Sequence, residues 1–209
     1  GEGYEPVGDF LEEGRTILAE GDAAVRALLW GGAACNEAVL SESSGTVRLL
    51  GDPTEGALLT VAAKAGIRRD RIESAFPRER DLPFDSERKR MTILRRTPAG
   101  LHAHVKGAPD LLLARCDFWL DARGEPQRLS DEIRQSVLQA NDAMAERALR
   151  VIAVAERAVR EDEKDAPADR LETGLTLVGL LGMYDPPRPE AREAVAKCRR
   201  AGIRVLMIT

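Results

Sequence analysis

Lys89-Arg90-Met91-Thr92-Ile93-Leu94-Arg95-Arg96-Thr97-Pro98-Ala99-Gly100-Leu101-His102-Ala103-His104-Val105-Lys106-Gly107 holds two alternating runs on either side of a turn. Lys89 to Arg95 and Leu101 to Lys106 repeat with period two, the period of a strand. Thr97-Pro98-Ala99-Gly100 carries turn residues, so the pair reads as antiparallel. Asp81 to Phe84 extends the pattern upstream, and Arg150 to Ala155 and the apolar Leu175 to Met183 supply further strands. Helices surround them. One follows Asp22 from Ala23 to Leu40, and another runs from Pro53 to about Ala65, ended by Gly66. Two more span Pro109 to Arg115 and, behind a Ser130 cap, the stretch to Leu149. Thr46 to Leu50 reads as a short strand, and the charged Glu161 to Asp169 as a surface loop. The expected class is α+β, an antiparallel sheet flanked by helices. Asp185-Pro186-Pro187-Arg188 breaks the last strand of that sheet. A helix from Pro189 to Arg200 and an apolar strand from Ile203 to Thr209 then begin a short α/β segment.

The chain has 209 residues, room for one domain and part of a second. Its 44% apolar and 32% charged residues are globular proportions. No run approaches the ~18 apolar residues of a membrane-spanning helix. A net charge of −4 argues against a nucleic-acid partner. Three distant cysteines, Cys35, Cys116 and Cys198, read as buried thiols rather than a disulfide framework or zinc site. His102 and His104 share a strand face but lack a third ligand, so they read as exposed strand residues rather than a metal pair.

Four motifs carry candidate chemistry. In Gly51-Asp52-Pro53-Thr54-Glu55-Gly56, Asp52 is an N-cap and Pro53 suits the first helical position. Glu55 stands where a capping box wants its carboxylate, or is free to serve a ligand. In Leu82-Pro83-Phe84-Asp85-Ser86-Glu87-Arg88-Lys89-Arg90-Met91, Phe84 is either a core aromatic or a stacking platform for a base. Alternation puts Lys89 with Met91 on one face and Arg88 with Arg90 on the other. In Val105-Lys106-Gly107-Ala108-Pro109-Asp110, Lys106 ends a strand, where its ammonium is either solvated or set over a cleft. Gly107 would let a ligand approach the backbone closely. The fourth motif, Met183-Tyr184-Asp185-Pro186-Pro187-Arg188, precedes Ala201-Gly202-Ile203-Arg204-Val205-Leu206-Met207-Ile208-Thr209. Arg150 is open to two readings, a helix-dipole partner or a ligand contact.

Together, in this order, the four motifs resemble the P-type cation-transporting ATPases, and the first two look most like the bacterial calcium-pump branch. The resemblance implies a nucleotide-binding domain over residues 1–184. It implies a hinge and the start of a phosphorylation domain over residues 185–209. It implies adenine stacked on Phe84, its amino group on Glu55, and Lys89, Met91, Lys106 and Gly107 alongside. Arg150 would touch the phosphates, Ile152 would wall the base, and Thr209 would complete the nucleotide set. Ser86 departs from relatives that carry an arginine there. ATP, arriving with Mg²⁺, is the implied ligand. The aspartate that takes its γ-phosphate lies in an Asp-Lys-Thr-Gly-Thr motif absent from this sequence. The chain is therefore expected to be the cytoplasmic piece of a longer membrane pump, without turnover of its own. Its partners would be the phosphorylation, actuator and membrane domains. An interaction module that no longer binds nucleotide is the alternative. The apolar strand 203–208 is expected to pair with a second chain or fold back on this one.

Overall fold

The computed structural model describes residues 3–43, 46–184 and 189–206. Two short antiparallel strands, β1 (Phe10–Glu12) and β2 (Arg15–Ile17), lead to helix α1 (Ala23–Ala34), where Asp22 accepts the Val25 N–H at 2.9 Å. A hairpin of β3 (Val39–Ser43) and β4 (Thr46–Leu50) follows, then α2 (Pro53–Lys64) and α3 (Arg69–Ala75). The main sheet is made of β5 (Arg78–Asp85), β6 (Arg90–Thr97), β7 (Gly100–Gly107), β8 (Cys116–Leu120), β9 (Pro126–Arg128), β10 (Arg150–Val159) and β11 (Leu175–Met183). Helices α4 (Pro109–Leu113), α5 (Asp131–Glu146) and α6 (Ala168–Leu171) lie between its strands in sequence, and α7 (Pro189–Arg200) follows it.

The sheet has seven strands in the order β5-β6-β7-β10-β11-β8-β9, antiparallel except where β11 runs parallel to β8. This is the expected α+β architecture, with the hairpin of β6 and β7 closed by the Thr97↔Gly100 pair. Strands β8 and β9 and helix α3 carry no strong period and were not expected from the sequence.

Three boundaries differ for physical reasons. Helix α1 stops at Ala34, not Leu40, because Asn36 ties itself to the Glu55 carbonyl (2.9 Å) and the Ala38 N–H (3.0 Å), and Val39 enters β3. Helix α5 stops at Glu146, not Leu149, where Ala148 takes a left-handed φ of 57° and turns the chain into β10. The strand expected at Ile203 to Thr209 is not formed over its described part. Residues 203–206 are irregular, and Ile203, Val205 and Leu206 are exposed, since no described strand lies beside them to complete a ladder. The expected pairing through 203–208 therefore has no strand to act through in residues 203–206. Residues 207–209 and the Asp185-Pro186-Pro187-Arg188 hinge lie outside the described residues.

The two faces of the sheet bury different cores. Val105, Ala153, Ala155, Leu175 and Leu177 pack with Leu112 and Leu113 of α4 and with Val137 and Leu138 of α5. Alternation sends Met91, Ile93 and Arg95 of β6, His104 and Lys106 of β7, and Ile152 and Val154 of β10 to the other face. Helix α1 lies flush there: a Cβ on Gly31 would meet Val154 Cγ1 at 2.7 Å. Where α1 ends, the strand ends of this face open into a cleft.

His104 corrects the reading of an exposed histidine pair. It is buried, its ring 4.6 Å from that of Trp30, with neither nitrogen hydrogen-bonded and Glu156 Oε2 3.4 Å from Nδ1. Burial pushes its pKa below the usual 6.5. The unfolded chain then binds a proton that the folded chain refuses. Stability should fall as pH drops through about 6.5 and keep falling until folded His104 itself titrates. Urea midpoints at pH 7.5 and 5.5 test this: the drop should shrink in His104→Leu and stay unchanged if the histidine plays no part.

Candidate functional site

The cleft beyond the end of α1 holds about 390 Å³. It is lined by Glu37, Asp52, Thr54, Glu55, Phe84, Met91, Lys106, Arg150 and Ile152. Six of the residues singled out from the sequence meet there: Glu55, Phe84, Met91, Lys106, Arg150 and Ile152.

The first turn of α2 supplies the polar wall. Asp52 Oδ1 accepts the Thr54 N–H at 2.8 Å and the Glu55 N–H at 3.3 Å, as an N-cap does. Although burial opposes it, these N–H groups and the Thr54 hydroxyl hold the Asp52 carboxyl below its usual range. Glu55 does not close a capping box. Its Oε2 accepts the N–H groups of Glu37 and Ala38, each at 3.0 Å, and its Oε1 pairs with Lys106 Nζ. The helix start is already satisfied by Asp52, so the carboxylate is free to bind the loop after α1 instead.

Lys106 reaches this carboxylate from β7, opposite Met91 in the β6–β7 ladder. Its side chain is only 7% exposed. It is therefore a buried cation held by a partly buried anion, not a solvated strand-end lysine. Met91 forms the floor, its carbonyl 3.6 Å from the thiol of Cys35, which burial pushes up to about 11 against the opposing pull of Lys106. Ile152 of β10 is a half-buried apolar wall, and Arg150, exposed at the start of that strand, donates to Thr54 Oγ1 at 2.8 Å.

Phe84 stands over this floor with 61% of its surface exposed, which rules out the core-aromatic reading. It sits where the β5–β6 register slips between Leu82 and Asp85, so the strand lifts it out of the ladder. An aromatic face over an apolar floor, with a carboxylate–ammonium pair at one wall and an arginine at another, suits a flat heteroaromatic ring bearing an anionic tail.

Three expected residues stand apart. Lys89 is not in a strand: it is an exposed turn residue at φ 53°, and this breaks the alternation that would have put it beside Met91. It does not line the cleft. Gly107 does not line it either. A Cβ there would meet Arg90 Cβ and the Lys89 carbonyl at 2.5 Å, so the glycine serves the close approach of β7 to the start of β6. Thr209 lies outside the described residues. Three lining residues were not singled out. Asp52 and Thr54 were read only as a helix start, and Glu37 gives no sequence signal because it acts by its place in a loop.

A second cavity of about 350 Å³ lies among α2, α3 and the β3–β4 hairpin. Its walls include Leu40, Leu59, Ala63 and Ile67, with Arg69 and Glu73 at one side.

The family model described as "P-type ATPase, cytoplasmic domain N" matches residues 24–190. The whole chain is 38% identical to a calcium-transporting ATPase of Bacillus subtilis (strain 168), and covers 23% of that protein. It is 39% identical to a cation-transporting ATPase of Synechocystis and 37% identical to a probable cation-transporting ATPase of Mycobacterium bovis, covering 23% of each. The chain thus spans about a quarter of the length of these relatives. The match across residues 24–190, with which the α+β sheet is consistent, places the chain in the P-type ATPase family, as its cytoplasmic domain N.

Proposed function

We propose that this chain is the ATP-holding domain of a membrane cation pump, with residues 1–184 as the nucleotide domain and 185–209 as the hinge and start of the phosphorylation domain. The exposed Phe84 over the Met91 and Ile152 floor carries the reading. Every base presents a π face to such a platform. Glu55 takes the adenine amino group, Lys106 flanks the ring, and Arg150 meets the phosphates. Lys89, exposed at the turn beside Phe84, reaches the phosphates from outside the cleft. Mg²⁺ arrives on the phosphates.

The chemistry then lies elsewhere in the pump. The γ-phosphate passes to an aspartate of the phosphorylation domain, and positioning and electrostatics supply most of that catalysis. The resulting aspartyl phosphate drives cation movement through membrane helices. Among the described residues no helix is long and apolar enough to cross a membrane. Calcium is the proposed cation, on the names of the Bacillus subtilis relative and on the style of the first two motifs.

Calorimetric titration of the chain with ATP, ADP and GTP tests the reading. ATP should bind in a saturable way, ADP within about threefold of it, and GTP at least about tenfold more weakly, because Glu55 accepts from an exocyclic amino group that guanine lacks at that edge. Equal binding of ATP and GTP, or none of either at millimolar concentration, would favour a module that does not read nucleotide.

A further inference from the structure

We propose that Glu172, acting through Arg88, is a positioning residue for Phe84; the proposal rests on Phe84 being the adenine platform. Glu172 lies between α6 and β11 and is fully buried. Its carboxylate takes Arg90 Nε at 2.6 Å, Thr92 Oγ1 at 2.7 Å and Arg88 Nη1. A buried carboxylate persists only when its lone pairs are filled in this way. Arg90 and Thr92 belong to β6 and explain how the segment after α6 is fastened to the sheet. Arg88 belongs to the turn instead, and its second nitrogen, Nη2, donates to the Pro83 carbonyl at 2.9 Å. That carbonyl is in the peptide unit that ends on the nitrogen of Phe84.

Phe84 needs such a hold. The register slip between Leu82 and Asp85 leaves Pro83 and Phe84 without partner residues on β6. With most of its ring exposed, Phe84 has little packing to fix it either. The turn is itself well determined: Asp85 Oδ1 accepts the N–H groups of Glu87 (2.9 Å) and Arg88 (2.8 Å), and the Asp85 carbonyl accepts the Lys89 N–H at 2.7 Å. Arg88 is thereby aimed at both partners, and the buried segment before β11 is linked to the backbone of the platform through one guanidinium fork. A platform held in place before binding is spared the ordering cost at binding.

A double-mutant cycle in the purified chain separates this role from a phosphate contact or a general structural one. ATP and adenosine dissociation constants are measured by amide shifts in the unaltered chain, Arg88→Ala, Phe84→Ala and the double variant. Arg88→Ala should weaken ATP and adenosine alike, by about 3- to 10-fold, the cost of ordering one side chain at binding. In the Phe84→Ala background the same change should cost nothing further. Additive losses, or a loss seen with ATP but not adenosine, would overturn the proposal. Glu172→Gln keeps the shape and should reproduce the Arg88→Ala loss; full affinity in a folded Glu172→Gln chain would also overturn it. If that variant does not fold, the Arg88 cycle decides alone. If Phe84→Ala binds ATP as well as the unaltered chain, the platform reading itself fails.

Discussion

Replacing Arg95 with alanine should cost about 3–5 kcal/mol of folding stability, whereas Arg96→Ala next to it should cost about 1 kcal/mol or less. Arg95 is fully buried. Its Nε donates to the Ala34 carbonyl at 2.8 Å and its Nη1 to the Phe76 carbonyl at 2.8 Å, closing the ends of α1 and α3 onto β6. Its Nη2 pairs with Glu73 at 2.8 Å, a carboxylate that also serves Arg78 at 2.7 Å and Arg69 at 3.4 Å. Burial opposes the ionisation of Glu73, but hydrogen bonds from Arg95 and Arg78 hold its pKa down to about 2. Arg95→Ala leaves the buried Ala34 carbonyl and the half-buried Phe76 carbonyl without this donor and opens a cavity in the core. Arg96 points the other way and pairs with Glu79 and Glu161 at the surface, where solvent screens both. Urea denaturation of the two variants measures the difference. Equal midpoints would show that the buried guanidinium carries no special weight.

The second large effect concerns Glu55 and Lys106. Glu55→Ala should cost about 2–4 kcal/mol, chiefly because it leaves the ammonium of Lys106 buried without a partner; the Ala38 N–H keeps Asn36 Oδ1 and the exposed Glu37 N–H turns to water. Lys106→Ala should cost less stability, since Glu55 keeps its two N–H donors. It should nonetheless weaken ATP by about 10- to 100-fold, the range of a charged hydrogen bond. Thermal midpoints and ATP titrations of both variants separate the two roles. The account of the Glu55 carboxylate fails if the order of the midpoints is reversed.

This pair also shows how far the residues speak for themselves. Period-two alternation and the turn at Thr97 to Gly100 marked the β6–β7 hairpin, although β6 buries both of its faces, Met91 and Ile93 on one side and Leu94 on the other. Leu175–Met183 and Pro189–Arg200 were legible to the residue, the first from its apolar run and the second from the proline before its helical pattern. Strands β8 and β9 were not, since β8 is only five residues long and pairs with a strand far away in sequence or with a very short one. In the cleft, residue types were legible but roles were not. Glu55 at the third helical position satisfies a capping pattern, and only the fold shows that its carboxylate turns to Glu37, Ala38 and Lys106. Lys89 was misplaced because alternation fails wherever a turn takes a positive φ. Arg88, Arg90, Arg95 and Arg96 look alike in a chain rich in arginine, yet one is fully buried, two share Glu172 and one is at the surface. Glu172 had no local signal at all, because its partners lie more than 79 residues away.

Two cavities of similar size are formed by the described residues; one carries the exposed Phe84 and the other the half-buried Tyr4. Amide-shift mapping of the chain during an ATP titration tests the central claim most directly. The account predicts saturable shifts at Glu37, Glu55, Phe84, Met91, Lys106 and Arg150, and none at Leu40, Leu59, Ile67 and Arg69. Shifts confined to the second set, or no shifts at millimolar ATP, would contradict it.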